Sequence, residues 1–358
     1  MKILLIGPLP PPITGNSLVN RIITEKFIDY FPDIVVDKID NSFTVLKEDI
    51  GRFSFVKVFS YLKRYLMLYK IINAEKIYIS IGITFLGVLK YLPFILFAKI
   101  FQKEIIIHIH SNHLWKQYEL LRGFKKKIFY YILSQANKGI VLSKSLRKNL
   151  SPFLKKEQIY ILENFAEDFI FDSSIKKNTK ELRIIFLSNL MIEKGILDLL
   201  QALLILQSKG VNFKSKIAGG IDPDKEKEIF SYFSKLSDNL EYLGVVEGQQ
   251  KKELLDWGNV FVFPTYYRME GQPICIFEAM ATSNIILTTK HAGIPDVFSD
   301  SVNGFYVEKK SPNSIATKLF QIHKSLDSYK YIFKNNKEEA NKKYKQERFL
   351  RQLYLILQ

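Results

Sequence analysis

A single cysteine, Cys275, in 358 residues excludes an internal disulfide and the small disulfide-stapled secreted scaffolds with it. Long apolar runs are missing too. The most apolar stretch, Ile77 to Phe101, is interrupted by Lys90 and Lys99 and carries Pro93 in its second half. Its longest uncharged run, Ile77 to Leu89, is well short of the roughly 20 apolar residues that a bilayer core requires. Any attachment to a membrane is therefore expected to be peripheral. The start MKILLIGPLPPP lacks the apolar length and the small-residue cleavage site of a signal peptide, so a reducing, cytoplasmic setting is expected. No Gly-x-Gly-x-x-Gly follows the first apolar run, which argues against a hydride-transfer fingerprint. No His or Cys cluster has metal-ligand spacing, and there is neither an internal repeat nor a low-complexity tract.

Acidic side chains are scarce in one region. The chain carries 52 Lys and Arg against 36 Asp and Glu, a net charge of +16, yet residues 51 to 150 alone hold 18 basic and 3 acidic side chains. Phe53, Phe55, Phe59, Tyr61, Tyr65, Tyr69, Trp115, Phe124, Phe129 and Tyr130 are interleaved with that charge. Such a mixture suits an anionic bilayer, which attracts Lys and Arg and accepts aromatics at headgroup level. It also suits nucleic acid, through phosphate contacts and stacking, or a merely solvated basic face. An anionic membrane surface is the expected partner, and nucleic acid is not.

What remains is ordinary globular material, 47% hydrophobic and 25% charged, long enough for two domains. Short β-branched runs alternate with longer helical patterns, as in a parallel sheet covered on both faces. The runs 2–6, 34–39, 76–81, 104–110, 139–142 and 159–162 predict one complete α/β domain over residues 1–165. The runs 182–188, 213–218, 240–243, 260–264, 285–288 and 304–307 predict a second over 166–342, joined by a polar linker near 166–180. A helix is expected from about Phe85 to Phe101, and the Lys-rich end reads as helical, with a helix over about 343–358 packing back on the first domain. The predicted fold class is α/β, two Rossmann-like doubly wound parallel-sheet domains facing a central cleft.

Three segments carry the chemistry. The first run feeds into GPLPPPITGNS, in which the prolines stiffen the approach, Gly15 permits close contact, and Ser17 is placed to cap a following helix whose positive end suits an anion. A purely structural turn is the competing reading. In FLSNLMIEKG, Ser188, Asn189 and Lys194 leave a strand end and Gly195 opens a helix, which places Lys194 to meet a phosphate. A solvent-exposed first-turn lysine is the reading that spacing alone favours. The most specific segment is VFVFPTYYRMEGQPICIFEAMATSNIILTT, where Glu270 and Glu278 flank GQPICIF. Glu278 is expected to begin or enter the helix FEAMAT, so that one carboxylate lies in the loop and one on the helix. Ionised carboxylates, being acceptor-only, suit sugar hydroxyls.

This last segment resembles the E-x7-E signature of retaining family-4 glycosyltransferases, the glycosyl transferases of group 1, which have the GT-B fold. GPLPPPITGNS, HIHSN, FLSNLMIEKG, HAGIPDVF and NGFYV resemble further family motifs, in register along almost the whole chain. The resemblance implies that Glu270 and the backbone of Gly271, Gln272, Pro273 and Ile274 hold the donor sugar, and that Glu278 receives the ribose hydroxyls of the nucleotide. It implies that Lys194 neutralises the diphosphate beside Asn189, that Gly15 and Asn16 touch diphosphate or sugar from the other domain, and that Val245 and Val246 position the base. His110 would face the transferred sugar, with His108 and Asn112 as acceptor-side neighbours; alternation puts His108 on the same side of its strand as His110. His110, Glu270 and Lys194 are thus the candidate catalytic residues. No nucleophile is assigned, because the family resemblance implies same-face attack assisted by the leaving phosphate.

The donor implied is a nucleotide sugar, with UDP-sugar the expectation, bound as substrate without a metal or another cofactor, since no Asp-x-Asp site stands in the right place. The acceptor expected is a lipid-linked saccharide at the inner face of a bacterial membrane, in capsule, O-antigen or related polysaccharide synthesis. The chain departs from the family at Asn189, where many members have Arg, and in EGQPICIFE, where many have EGFGLPxLE. Arg268 or Lys144 is placed to supply the missing charge. Two other classes stay open: a GT-B nucleotide-sugar epimerase, and a non-catalytic basic protein that binds membrane or nucleic acid. The oligomeric state is not legible.

Overall fold

The computed structural model describes residues 1–42, 62–172 and 176–358. Phe53, Phe55, Phe59 and Tyr61 of the basic region lie outside the described residues. The chain divides into two compact units, the first comprising residues 1–164, 269–272 and 347–358 and the second 165–268 and 273–346.

The first unit is built on β1 (Lys2–Gly7), β2 (Val35–Asp40), β3 (Lys76–Ser80), β4 (Glu104–Ile109), β5 (Lys138–Val141) and β6 (Ile159–Ile161). They pair in the order β2-β1-β3-β4-β5-β6, every ladder parallel. Ile77, Ile79, Ile105, Ile107 and Val141 are wholly buried, as strands covered on both faces require. Strand order reverses between β1 and β3, so the loops after these two strands diverge at their carboxyl ends and open a crevice.

Helix α1 (Gly15–Tyr30) follows β1, but its cap is Thr14 rather than the expected Ser17. Ser17 is the third helical residue. Thr14 Oγ1 accepts from Ser17 N at 3.1 Å and Ser17 Oγ accepts from Thr14 N at 2.8 Å, a reciprocal capping box that satisfies two amides instead of one. The single helix expected over 85–101 is two, α2 (Phe85–Leu89) and α3 (Leu92–Ile100). Pro93 lacks an N–H and would clash with the carbonyl four residues back, so it starts a helix and cannot continue one. Helices α4 (Leu114–Leu120) and α5 (Gly123–Ser134) lead into β5. The carboxyl-terminal helix of the chain (Gln346–Leu357) lies largely in this unit, with Tyr354 stacked on Phe31 at 4.1 Å between centroids and Lys138 Nζ donating to the Ile356 carbonyl.

The second unit repeats the plan with β7 (Leu182–Leu187), β8 (Phe213–Ala218), β9 (Leu240–Tyr242), β10 (Val260–Phe263), β11 (Ile285–Thr288) and β12 (Gly304–Tyr306). The parallel order β12-β11-β10-β7-β8-β9 reverses between β7 and β10. Helix α6 (Ile196–Ser208) leaves the β7 loop, α7 (Glu226–Lys235) follows β8, α8 (Gly248–Trp257) precedes β10, and α9 (Ile274–Ala281) follows the β10 loop. The Lys-rich end contributes α10 (Pro312–Lys324) and α11 (Lys330–Lys343). The expected polar linker is partly core: Ala166 and Ile170 are wholly buried among the apolar residues of this unit.

After β8 the backbone turns at Gly219, φ +142°, where a Cβ would sit 1.8 Å from the Ser188 carbonyl oxygen. Only glycine lets the β7 and β8 loops approach this closely. Among the described residues no helix is long and apolar enough to cross a membrane.

Candidate functional site

In the first unit the candidate residues gather at the carboxyl ends of β1, β3 and β4. Asn16, in the first turn of α1, has its carboxamide oxygen occupied by donors from Asn20 (Nδ2, 3.2 Å) and Ser80. That fixes the amide so that Nδ2 is the end left to donate. Gly7 makes room for this arrangement, because a Cβ there would lie 2.6 Å from Asn20 Nδ2. Gly15 is exposed at the start of the helix.

His108 and His110 lie on one side of β4, as alternation predicts, with ring centroids 3.9 Å apart. The His108 Nδ1 pairs with the hydroxyl of Tyr78 on β3 at 2.5 Å. Burial pushes the Tyr78 phenol well above its usual range, so it keeps its proton and is the donor to Nδ1. The His108 proton then sits on Nε2, which has no hydrogen-bond partner, and both ring nitrogens of His110 are likewise buried and unpartnered. Burial lowers His110 to about 3; it also lowers His108, with a smaller contribution from the neighbouring His110. Both imidazoles are neutral near pH 7, each with donor or acceptor capacity that the protein does not use.

The neutral pair has a consequence for stability. A histidine whose folded pKa lies below its unfolded value of about 6.5 binds its proton first in the unfolded chain, so stability is complete above that pH and falls as pH drops toward the folded value. Lowering the pH from 7 to 5 is expected to cost about 2 kcal/mol through His110 alone. Urea unfolding at the two pH values checks this, and the loss should shrink in His110→Gln.

The loop segment 269–272 belongs to this unit. Asn112 N donates to the Glu270 carbonyl at 2.9 Å, and Asn164 donates to Gln272 through its backbone amide (Oε1, 2.7 Å) and its side chain (carbonyl, 2.7 Å). At Gly271 a Cβ would lie 2.4 Å from the His110 carbonyl oxygen, so glycine is what allows the loop to lie against the end of β4. Glu270, Gly271, Gln272, His110 and Asn112 are thereby brought together. Asn112 Oδ1 and Gln272 Nε2 are buried without partners, which adds an acceptor and a donor to the same region.

In the second unit the reversal between β7 and β10 carries Asn189, Lys194 and the start of α9. The β7 and β10 loops are tied together: Tyr266 N donates to the Glu193 carbonyl at 2.8 Å, and Gly195, φ +87°, lies so close to Pro264 that a Cβ would be 2.5 Å from its ring. Lys194 lies over the rings of Tyr267 and Phe263, with Nζ 4.8 and 5.4 Å from their centroids. Two helix amino ends, of α6 after Gly195 and of α9 after Pro273, arise from these same two loops, and each favours negative charge. The side chain of Asn189 and that of Val245 flank Gly220, each 3.8 Å from where its Cβ would be. Val245 is 63% exposed, whereas Val246 is buried. Arg268 and Lys144 are exposed.

Glu278 lies on a helix, as expected. Helix α9 begins at Ile274, so Glu278 lies in its middle rather than at its start, and Pro273 and Ile274 occupy the amino end instead. It is also ion-paired, at 2.6 Å, to Lys251 of α8, which in turn meets Glu167 at 2.8 Å. Lys251 was not singled out from the sequence. It stands in the run GQQKKELLDW, where nothing separates it from an ordinary solvated lysine.

The basic face is best seen on α4 and α5. Leu120, Phe124, Lys127, Tyr130 and Tyr131 are exposed, and Lys126 lies over the Tyr118 ring. Phe129, grouped with the surface aromatics from sequence, is wholly buried, because it faces the sheet side of α5. Among the described residues no group of three His, Cys, Asp or Glu is arranged to hold a metal ion.

Residues 167–339 match the family model described as glycosyl transferases group 1. The chain is 26% identical over 190 residues to the putative colanic acid biosynthesis glycosyltransferase WcaL of Salmonella typhimurium, covering 52% of this chain and 47% of WcaL. It is 26% identical over 319 residues to the capsular polysaccharide biosynthesis glycosyltransferase CapM of Staphylococcus aureus, covering 84% of this chain and 80% of CapM. The chain spans less than two thirds of the length of two of the curated relatives it matches, 64% of one and 47% of WcaL. The crystal structure of Anabaena Alr3699/HepE in complex with UDP-glucose superposes with a TM-score of 0.75 at 15% identity, over 100% of this chain and 99% of that one. The chain therefore has the two-sheet GT-B architecture, and most of its second unit matches the group 1 glycosyl transferase family.

Proposed function

We propose that this protein is a retaining, metal-independent glycosyltransferase of family 4 that moves a sugar from a UDP-sugar to a lipid-linked saccharide in bacterial surface polysaccharide synthesis. The observation that carries the reading is the β7 and β10 crevice, whose two loops hold Lys194 and lead into the amino ends of α6 and α9 at the place a doubly wound sheet offers to a diphosphate. The family match over 167–339, the names of WcaL and CapM, and the UDP-glucose bound by HepE support the same class of donor and pathway.

In this reading Glu278 accepts from the ribose, Val245 and Gly220 border the base, and Lys194 meets the diphosphate beside Asn189. Glu270, the backbone of Gly271 to Ile274, and Gly15 and Asn16 hold sugar and phosphate. His110 and His108 present neutral imidazole nitrogens, and Asn112 a carboxamide oxygen, to the reacting sugar and its acceptor. As the sugar–phosphate bond breaks, charge develops on the diphosphate, where a fixed ammonium and helix dipoles stabilise it without reorganising. The exposed aromatic and basic residues of α4 and α5 support a peripheral location on the anionic inner face of the cell membrane.

The test is stabilisation by ligands. A ligand that binds only the native state raises unfolding free energy by about 2.7 kcal/mol at 100 times its Kd. UDP and one UDP-sugar are expected to raise the melting temperature, and UDP release from that sugar is expected to require an added saccharide acceptor. Acceptor-independent conversion would indicate an epimerase instead, and no shift with any nucleotide would overturn the donor site.

A further inference from the structure

We propose that Lys251 is a positioning residue for nucleotide recognition, acting through Glu278. The inference rests on the reading that Glu278 meets the ribose hydroxyls, and adds the group that makes Glu278 fit for it. Three side chains from distant parts of the chain converge: Glu167 ahead of β7, Lys251 in the first turn of α8 and Glu278 in the middle of α9. They are nearly closed off, with side chains 10%, 12% and 5% exposed respectively. The Lys251 ammonium lies 5.5 Å from the ring centroid of Phe169, which covers it.

A carboxylate in this setting has two ways to avoid the cost of burial, taking up a proton or finding a cation. Here one ammonium serves two carboxylates. Burial alone would lower Lys251, but the charges of Glu278 and Glu167 outweigh it and hold the ammonium above its usual range, so the cation persists at any pH the protein meets. Lys251 engages only Oε1 of Glu278; the other carboxylate oxygen makes no hydrogen bond among the described residues. Glu278 is thereby anchored through one carboxylate oxygen and keeps the other, an acceptor, for a hydroxyl donor. Without Lys251, Glu278 would lose the cation that holds its Oε1 and, with it, the contact that orients the carboxylate.

This assigns Lys251 a role that a mere packing lysine would lack, because its loss must change which nucleotide is preferred. Titration calorimetry with UDP and 2′-deoxy-UDP reads that preference, since a site built to bond a hydroxyl discriminates against the analogue that lacks it. The wild-type protein is expected to bind UDP about 10-fold or more tighter than 2′-deoxy-UDP. Lys251→Met is expected to weaken UDP by about 10-fold or more and bring the two ligands within about 3-fold of each other. Lys251→Arg, which keeps the cation, is expected to restore the preference.

In a Glu278→Gln background, Lys251→Met is expected to add nothing further, since both changes remove the same oriented oxygen. This double variant leaves one buried carboxylate, Glu167, where Lys251→Met alone leaves two, so it tests the coupling if Lys251→Met alone does not fold. Unchanged UDP affinity and preference in folded Lys251→Met, or full additivity in the double variant, would overturn the proposal while leaving Glu278 at the ribose. Unchanged UDP binding in Glu278→Gln would instead overturn the reading on which it rests.

Discussion

Lys194→Met is expected to lower kcat/KM for the donor by about 10² to 10³-fold, a loss of about 2.7 to 4 kcal/mol of transition-state stabilisation. Lys194 stands one residue before Gly195, whose left-handed backbone turns the chain into α6. The ammonium is set over Tyr267 and Phe263, so it is placed before any ligand arrives and spends little entropy on binding. Asn189, on the same loop, is neutral where the family pattern has an arginine, which leaves more of the diphosphate charge to Lys194 and the two helix ends. Steady-state kinetics at varied donor should show both kcat and KM affected, because phosphate charge is present in the ground state and grows during departure. A change below about 3-fold would remove Lys194 from the diphosphate.

His110→Leu is expected to separate activity from stability. Both ring nitrogens of His110 are buried without partners, a cost of about 1 to 3 kcal/mol each for a lost hydrogen bond. Leucine of similar size removes that cost, so the unliganded variant should melt at the same temperature or higher, and the dependence on acid pH should flatten. Turnover should fall by about 10²-fold or more if those nitrogens bond the sugar during transfer. Stabilisation by UDP alone should persist, because His110 is assigned to the transferred sugar and not to the nucleotide. Turnover within about 3-fold of wild type would place His110 outside the reaction.

Inner strands such as β3, β10 and β11 were readable because parallel strands covered on both faces are nearly continuous apolar runs, whereas β2, at a sheet edge, carries Asp37 and Lys38 and was marked by its β-branched start. Local exceptions follow from competing short-range chemistry. Ser17 looks like a cap until Thr14, three residues earlier, is seen to complete a reciprocal pair. The apolar run over 85–101 looks like one helix until Pro93 is given its helix-starting role. FEAMAT marks the helix that carries Glu278, but the helix starts four residues before Glu278, at Ile274 directly after Pro273.

Lys251 lay beyond such reasoning for a different reason. Its partners Glu167 and Glu278 are distant in sequence, and no local pattern marks a lysine that will be buried between two carboxylates. The Tyr78 to His108 pair is similar, since it joins residues from neighbouring strands whose register is known only once the sheet is assembled. The attachment of residues 269–272 to the first unit depends on Gly271 lying against the carbonyl of His110, again a long-range approach.

By itself, then, the sequence determined the alternation of strands and helices, the two-sheet fold class, and the kinds of side chain at the strand ends, because periodicity and turn chemistry act over a few residues. The tertiary structure decided the pairing of Lys251 with two glutamates, the neutrality of His108 and His110, and the company kept by the Glu270 loop. Those depend on burial and on charges brought together from distant segments, and burial is a property of the folded chain.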